Sequence, residues 1–226
     1  MSVHTIVLAA GEGSRMKSKR AKSLQRIGGT SMLHKICTTA GKISPKITLV
    51  VGFDQDSVIK EANEYNLEIS IAQQPKAIGT GDAVKCGLTQ VEKESKVLVL
   101  YGDVPLIQED TLRKLIETSD DSLSILTTVL DNPYGYGRVA KDDSGNALSI
   151  VEEKDATDVE REINEIFTGV LCGPKSLLDE GLSIINNNNA AGEYYLTDLI
   201  SIINEKGYKI KTHEASNNEV KGANNK

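Results

Sequence analysis

Directly after an apolar run, the segment Leu8-Ala9-Ala10-Gly11-Glu12-Gly13-Ser14-Arg15-Met16 combines two glycines with small residues and a cation. Glycines behind a strand let the backbone turn sharply and present successive N–H groups to phosphate oxygens. Two familiar phosphate motifs are excluded by spacing. A G-x-G-x-x-G pattern would need glycine where Met16 stands, and a Walker A pattern needs one immediately before Lys17. A glycine turn alone is as readily structural, but this one is followed by Arg15, Lys17, Lys19, Arg20, Lys22 and Arg26 in an acidic chain. For Lys17, Lys19 and Arg20 a solvated face is the simpler reading. Arg15 and Lys22 are near enough in sequence to fold over a triphosphate held by the turn, arginine as a bidentate fork and lysine as a point charge.

A second candidate is Asp103 in Tyr101-Gly102-Asp103-Val104-Pro105-Leu106, which closes the apolar run from Lys96. Ligands of open α/β sheets bind beyond the carboxyl ends of strands, and an acid at that edge suits a divalent ion. Mg²⁺ takes hard oxygen ligands and usually needs one or two protein oxygens besides substrate phosphates. Read alone, Asp103 is equally a turn cap. His4, His34 and His213 are scattered. With no nucleophile and base in a recognisable arrangement, they read as structural.

These side chains need a frame. The 226 residues, 39% hydrophobic and 26% charged, are enough for one substantial core, and no Pro/Gly/Ser-rich linker divides them. One enlarged domain over 1–226 is expected. The net charge of -6, with 26 Lys+Arg against 32 Asp+Glu, argues against a nucleic-acid partner, as do the absence of Trp and the 4% aromatic content. Three cysteines without a C-x-x-C pair suggest neither disulfides nor zinc, and a reducing, cytoplasmic setting fits. No apolar run approaches the roughly 18 residues of a membrane span, so no membrane partner is expected.

Short β-branched runs at 5–10, 47–51, 67–72, 96–101, 122–130, 163–172 and 208–213 read as strands, several apolar almost without alternation, as a strand covered on both faces requires. Helical spacing fills 31–42, 54–65, 80–93, 109–119, 174–186 and 194–206. Strand and helix alternate, which predicts an α/β fold with a doubly wound, mostly parallel sheet. The order breaks after Asn132, where 138–141 and 147–151 flank Asp143-Ser144-Gly145-Asn146 and read as an inserted β-hairpin roofing one side of the sheet.

The combination of motifs resembles the sugar nucleotidyltransferases, most closely the uridylyltransferase half of the bifunctional bacterial enzymes that form UDP-N-acetylglucosamine. The resemblance runs from Val3 to Asn225. It takes in the glycine loop, Lys22, Gly79-Thr80-Gly81, Tyr101 to Leu106, Gly135-Tyr136-Gly137-Arg138, Val151-Glu152, Lys154 to Asp158, Thr168-Gly169, Gly192 to Asp198 and Asn224-Asn225. It implies a Rossmann-like nucleotidyltransferase fold, a nucleotide-binding part over about 1–110 and a sugar-binding part over about 111–226. By position it implies that Leu8, Ala9, Ala10 and Gly11, with Gln74, Gly79 and Thr80, hold the uracil end of UTP, while Tyr101 and Gly102 flank the metal carboxylate. It implies Asp103 and Asn224 as ligands of Mg²⁺, and Arg15 and Lys22 as the cations around the transferring phosphorus. Gly137, Glu152, Tyr195 and Thr197 match positions that line an amino-sugar pocket. The implied partners are UTP and a sugar 1-phosphate. That acceptor is an anionic nucleophile at neutral pH, which agrees with the lack of a triad.

Three departures bear on this reading. Ala21 stands where the family usually has proline, so the segment before Lys22 loses a fixed φ. The family's Gln-x-Glu-Gln-Leu-Gly-Thr-Gly-His is Gln74-Pro75-Lys76-Ala77-Ile78-Gly79-Thr80-Gly81-Asp82 here. Phe167 precedes Thr168 where an asparagine is common, and a phenyl ring neither donates nor accepts a hydrogen bond. A different sugar 1-phosphate, a different nucleotide, or a silent sugar-nucleotide-binding role therefore stay in view. The C-terminal hexapeptide-repeat acetyltransferase domain of the bifunctional relatives has no counterpart before Lys226, so acetyl transfer is not expected of this chain, and a monomer or weak dimer is.

Overall fold

The computed structural model describes residues 2–13 and 20–220. Its principal sheet has the central order β11-β7-β10-β6-β1-β4-β5. The strands are β1 (Val3–Leu8), β4 (Lys46–Val51), β5 (Ile69–Gln73), β6 (Lys96–Tyr101), β7 (Ser124–Val129), β10 (Glu165–Pro174) and β11 (Lys211–Glu214). Neighbours are parallel from β6 through β1 and β4 to β5, and again between β11 and β7. Within this central order, among the described residues, β10 alone runs antiparallel, against both β6 and β7. The fold is the expected mostly parallel α/β sheet.

Alternate residues of the central strands feed two separate cores. Ile6, Val97, Val99 and Ile125 enter one, and Val7, Leu98, Leu100 and Leu126 the other. The first core is closed by α3 (Thr80–Leu88), α6 (Lys175–Ile184) and α7 (Asp198–Glu205), the second by α1 (Met32–Gly41), α2 (Gln55–Ala62) and α4 (Glu109–Glu117). Burial on both faces is why these strands read as unbroken apolar runs.

The inserted hairpin is β8 (Arg138–Lys141) with β9 (Ala147–Val151), at the expected bounds. Its Val139, Ala147 and Ile150 join the first core, and Arg138 bridges to Ile166 of β10. Gly207, at φ +89, follows the end of α7, and α6 begins one residue after Pro174, where the expected helix began. Smaller elements, too short to carry a periodic signal, complete the fold: the ribbon of β2 (Arg26–Ile27) and β3 (Thr30–Ser31), α5 (Asp158–Arg161), α8 (Asn217–Val220) and a 3-10 turn at Lys22–Leu24. Among the described residues, no helix is long and apolar enough to cross a membrane.

Candidate active site

From β1 the chain crosses to β4 and β5 on one side, and after α3 it returns to β6 on the other. The order therefore reverses between β1 and β6, and the crevice beyond such a reversal is where open α/β sheets bind ligands. Leu8 pairs with Tyr101 at that edge, and Gly102 N–H donates to Leu8 O at 2.9 Å, locking the two strand ends together.

A cavity of about 260 Å³ opens there. Leu8, Ala9, Ala10 and Gly11 form one wall. Gln74, Gly79 and Thr80 form another, and Tyr101, Gly102, Asp103 and Lys22 a third. Ser23, Ala77, Ala83 and Glu193 also line it; Ala77 and Glu193 fall within motifs quoted above, whereas Ser23 and Ala83 carry no sequence signal. Gly13, at φ +63, lets the loop pass so close that a Cβ there would stand 2.7 Å from Lys22 Cβ.

Lys22 Nζ donates to Asp103 Oδ2 at 2.5 Å, with side chains 17% and 24% exposed. The pair lies at the cavity rim, within reach of solvent. The 3-10 turn that carries Lys22 is closed by Leu24 N–H to Ala21 O at 3.1 Å and Gln25 N–H to Lys22 O at 3.1 Å. Arg15 and Asn224 fall outside the described residues.

Gln74 is buried, and its Nε2 donates to Gly79 O at 3.0 Å and to Asp82 Oδ2 at 2.8 Å. A carboxylate only accepts, so the amide NH₂ must face Asp82, and both of its hydrogens are engaged. Its oxygen remains as an acceptor in a cavity that Gln74 lines. Gly79 adopts φ +131, and a Cβ there would meet Tyr194 O at 2.3 Å. This close approach allows Gly81 N–H to donate to Tyr194 O at 2.8 Å, and Leu196 N–H to Thr80 Oγ1 at 3.1 Å. Those bonds occupy the backbone around 194–196, and α7 accordingly starts at Asp198 and not at the expected 194.

A second cavity of about 620 Å³ shares Tyr101 and Asp103 with the first. Gly137, Glu152 and Thr197 line it, together with Tyr134, Tyr136, Phe167, Thr168 and Gly169. Thr197 Oγ1 donates to Glu152 Oε1 at 3.0 Å. Burial raises the Glu152 carboxyl above the ordinary range. Thr197's hydrogen bond opposes that rise, and the negative charges of Asp198, Asp155 and Glu193 reinforce it. Burial likewise pushes Tyr195 up to about 12, but Tyr195 lines neither cavity. The Tyr101 phenol, which shares a hydrogen bond with Thr80, is raised mainly by burial. Burial also sends the Cys37 thiol up to about 12, so it is no nucleophile.

The roof of this cavity is anchored by Arg138, 2% exposed, whose Nη2 meets Glu153 Oε2 at 2.7 Å and whose Nη1 donates to Tyr136 O. Gly135 N–H donates to the same carboxylate oxygen at 3.0 Å. That backbone bond, ahead of Arg138, holds the Glu153 carboxyl below its ordinary range. The motif Gly135-Tyr136-Gly137-Arg138 was the sequence signal for this roof. Nothing in the sequence announced its partner Glu153.

A glycine loop, a lysine and the carboxylate it meets, gathered at the reversal point of a parallel sheet, define a nucleotide-binding α/β protein. The profile of the MobA-like NTP transferase domain matches residues 5–155, and the chain belongs to that family. It is 42% identical over 228 residues to the bifunctional protein GlmU of Francisella philomiragia, covering 100% of this chain and 50% of the relative. The GlmU proteins of Caldicellulosiruptor saccharolyticus (43% over 228 residues, 98% of this chain and 49% of the relative) and Clostridioides difficile (40% over 230 residues, 100% and 50%) are comparable. The chain thus spans about half the length of the curated relatives it matches. A solved structure described as a putative glucose-1-phosphate thymidylyltransferase from Bacillus anthracis in complex with a sucrose superposes with a TM-score of 0.76. It covers 95% of this chain and 87% of that one at 17% identity, a likeness of fold.

Proposed function

We propose that this chain transfers UMP from UTP to N-acetylglucosamine 1-phosphate, giving UDP-N-acetylglucosamine and pyrophosphate. The carrying observation is that two cavities meet at Tyr101 and Asp103, with Lys22 against that carboxylate. One chamber would take the nucleoside triphosphate and the other the sugar, so that the acceptor phosphate and the α-phosphorus meet at the shared wall. In this reading residues 1–110 supply most of the nucleotide site and 111–226 most of the sugar site.

Roles follow from chemistry. Backbone groups of Leu8 to Gly11, with Gly79 and Thr80, enclose the base. The free acceptor of Gln74 suits uracil, whose N3 carries a hydrogen where cytosine's N3 is itself an acceptor. Glu152, Thr197 and Gly137, with Tyr195 beside them, receive the amino sugar. The acceptor oxygen is already anionic, so no general base is required. The protein's task is in-line alignment and neutralisation of charge on the α-phosphate and leaving pyrophosphate. Lys22 and Arg15 supply that positive field.

The donor set also suits a divalent cation. Asp103 offers a hard, partly exposed carboxylate facing both cavities, and Mg²⁺ needs few protein ligands when phosphates complete its shell. Asp103 and Asn224 would hold it, and the bound ion would screen the phosphate charges. The setting proposed for this reaction is the cytoplasm.

A second reading keeps the fold and changes the acceptor. Phe167 lines the sugar cavity and is 6% exposed, so that wall offers a phenyl ring and no hydrogen bond. Glucose 1-phosphate is then the competing acceptor. The deciding experiment measures Mg²⁺-dependent pyrophosphate release over a matrix of nucleoside triphosphates and sugar 1-phosphates. Preference for UTP with the acetylated sugar supports the first reading, and another pair the second. Tight sugar-nucleotide binding with no turnover on any pair would replace both with a silent binding role.

A further inference from the structure

Lys22 is preceded by Ala21, which is fully buried and extended at φ -50 and ψ 142. Its N–H donates to Asp54 Oδ2 at 3.0 Å, 33 residues further along the chain. A buried N–H without an acceptor is unfavourable, so this segment needs a partner from elsewhere.

Asp54 provides one against its own local preferences. At φ +52 it is the one non-glycine residue at positive φ among those described. It also occupies the N-cap position of α2, where an aspartate side chain normally accepts from the first helical N–H groups, yet it makes no such bond. Its carboxylate reaches across to Ala21 instead. Backbone strain retained at one position is a pointer to function when the surrounding contacts say what it serves.

Those contacts converge on Lys22. On its N-terminal side the chain is tied to Asp54, and on its C-terminal side Leu24, 1% exposed, is packed into the second core. The lysine Cα is therefore fixed at both flanks, and its Nζ lands on Asp103. We propose that Asp54 is a positioning residue, whose hydrogen bond to the Ala21 backbone aims Lys22 at the reacting phosphate. This rests on the role given to Lys22 above.

The test uses the full chain with UTP, N-acetylglucosamine 1-phosphate and Mg²⁺, alongside amide hydrogen exchange across residues 20–25 and thermal melts. Asp54→Gly removes the acceptor while relieving the positive φ. It is expected to lower kcat about tenfold or more through misplacement of Lys22, with KM values little changed and a modest fall in Tm, the relieved positive φ offsetting part of the lost hydrogen bond. The same variant should speed exchange at Ala21 by about tenfold. Asp54→Asn keeps an acceptor and tolerates positive φ, so it should retain turnover near that of the unmodified chain.

The decisive variant is a double one. Ala21→Pro alone deletes the donor and sets a ring carbon against Oδ2, and it should lower kcat. Combined with Asp54→Gly it should recover, because the ring restrains φ close to the observed -50 without needing the tether. Full turnover and unchanged exchange in Asp54→Gly would overturn the proposal, and so would a double variant no better than the worse single one. If the unmodified chain turns over no pair of substrates, the proposed function fails. Exchange at Ala21 then decides the tether separately, with an unchanged rate in Asp54→Gly rejecting it.

Discussion

Lys22 and Asp103 lie 81 residues apart in the chain, and their side chains meet at 2.5 Å where the two cavities join. One comes from the turn after β1 and the other from the end of β6, so the contact exists only because those strands are neighbours. An ammonium has three donors. One of them meets the Asp103 carboxylate here, which puts the positive charge of Lys22 at the wall shared by the two cavities.

Lys22→Ala should reduce kcat by about 10²- to 10³-fold, equivalent to about 2.7–4 kcal/mol of transition-state stabilisation. The partly exposed pair adds little to folding. Steady-state pyrophosphate release and a melt monitored by circular dichroism check both halves. Near-full turnover would remove Lys22 from the mechanism.

Chelation of divalent ions should abolish turnover, and added Mg²⁺ should restore it. Asp103→Asn keeps the shape and removes the charge, so the Mg²⁺ concentration for half-maximal rate should rise by about tenfold or more. An unchanged Mg²⁺ titration would take Asp103 out of the metal's shell.

Gly79→Ala should be severe. A methyl group there would stand 2.3 Å from Tyr194 O, on a backbone at φ +131. Overpacking of this kind costs about 1–3 kcal/mol. Because the displaced backbone carries the bonds to Gly81 and Thr80, nucleotide KM should rise together with the loss in Tm. Calorimetry and nucleotide titration provide the readout, and an unaffected KM would mean the Tyr194–Leu196 backbone does not shape the base site.

Glu152 gives the protein a pH signature. Its folded-state pKa lies above the ordinary value. The folded protein therefore binds the proton more tightly than the unfolded chain. That contribution is complete below the ordinary glutamate range near about pH 4.3 and is lost as pH climbs through the raised value. Glu152→Gln should melt higher than the parent at pH 7, with the gap closing toward pH 4, while sugar KM rises. Melts at a series of pH values decide it, and parallel curves for the two proteins would refute the assignment.

Phe167→Asn should move preference toward the acetylated sugar. One gained hydrogen bond of about 1.4 kcal/mol corresponds to a tenfold change in the ratio of kcat/KM values. The variant should also lose stability, since Phe167 belongs to the first core. Competition between N-acetylglucosamine 1-phosphate and glucose 1-phosphate measures the ratio, and no change would acquit this wall of specificity.

What could be read in advance depended on whether the signal was local. The run Lys96–Tyr101 and the hairpin around Asp143 to Asn146 carried their own periodicity and turn chemistry, and their bounds match. At Ala9 and Ala10 the reading overran: both are buried, so they continue the apolar pattern of β1 after its ladder has ended. The reversed direction of β10 was invisible because an apolar run reads alike both ways along a covered sheet. Ala21 was legible only as a missing ring. That its N–H would meet Asp54 depends on a pairing no spacing reveals.

The pairing of β10 with β7 slips between Phe167 and Leu171, where Thr168 Oγ1 donates to Leu126 O at 2.8 Å in place of a ladder bond. The strand is thus pinned above and below a short stretch out of register with β7, and Thr168 and Gly169 of that stretch line the second cavity. Gly169, at φ +89 with Tyr101 only 2.7 Å from where its Cβ would stand, and Val170, buried in the second core, tie the contour of that wall to the assembly of the sheet itself.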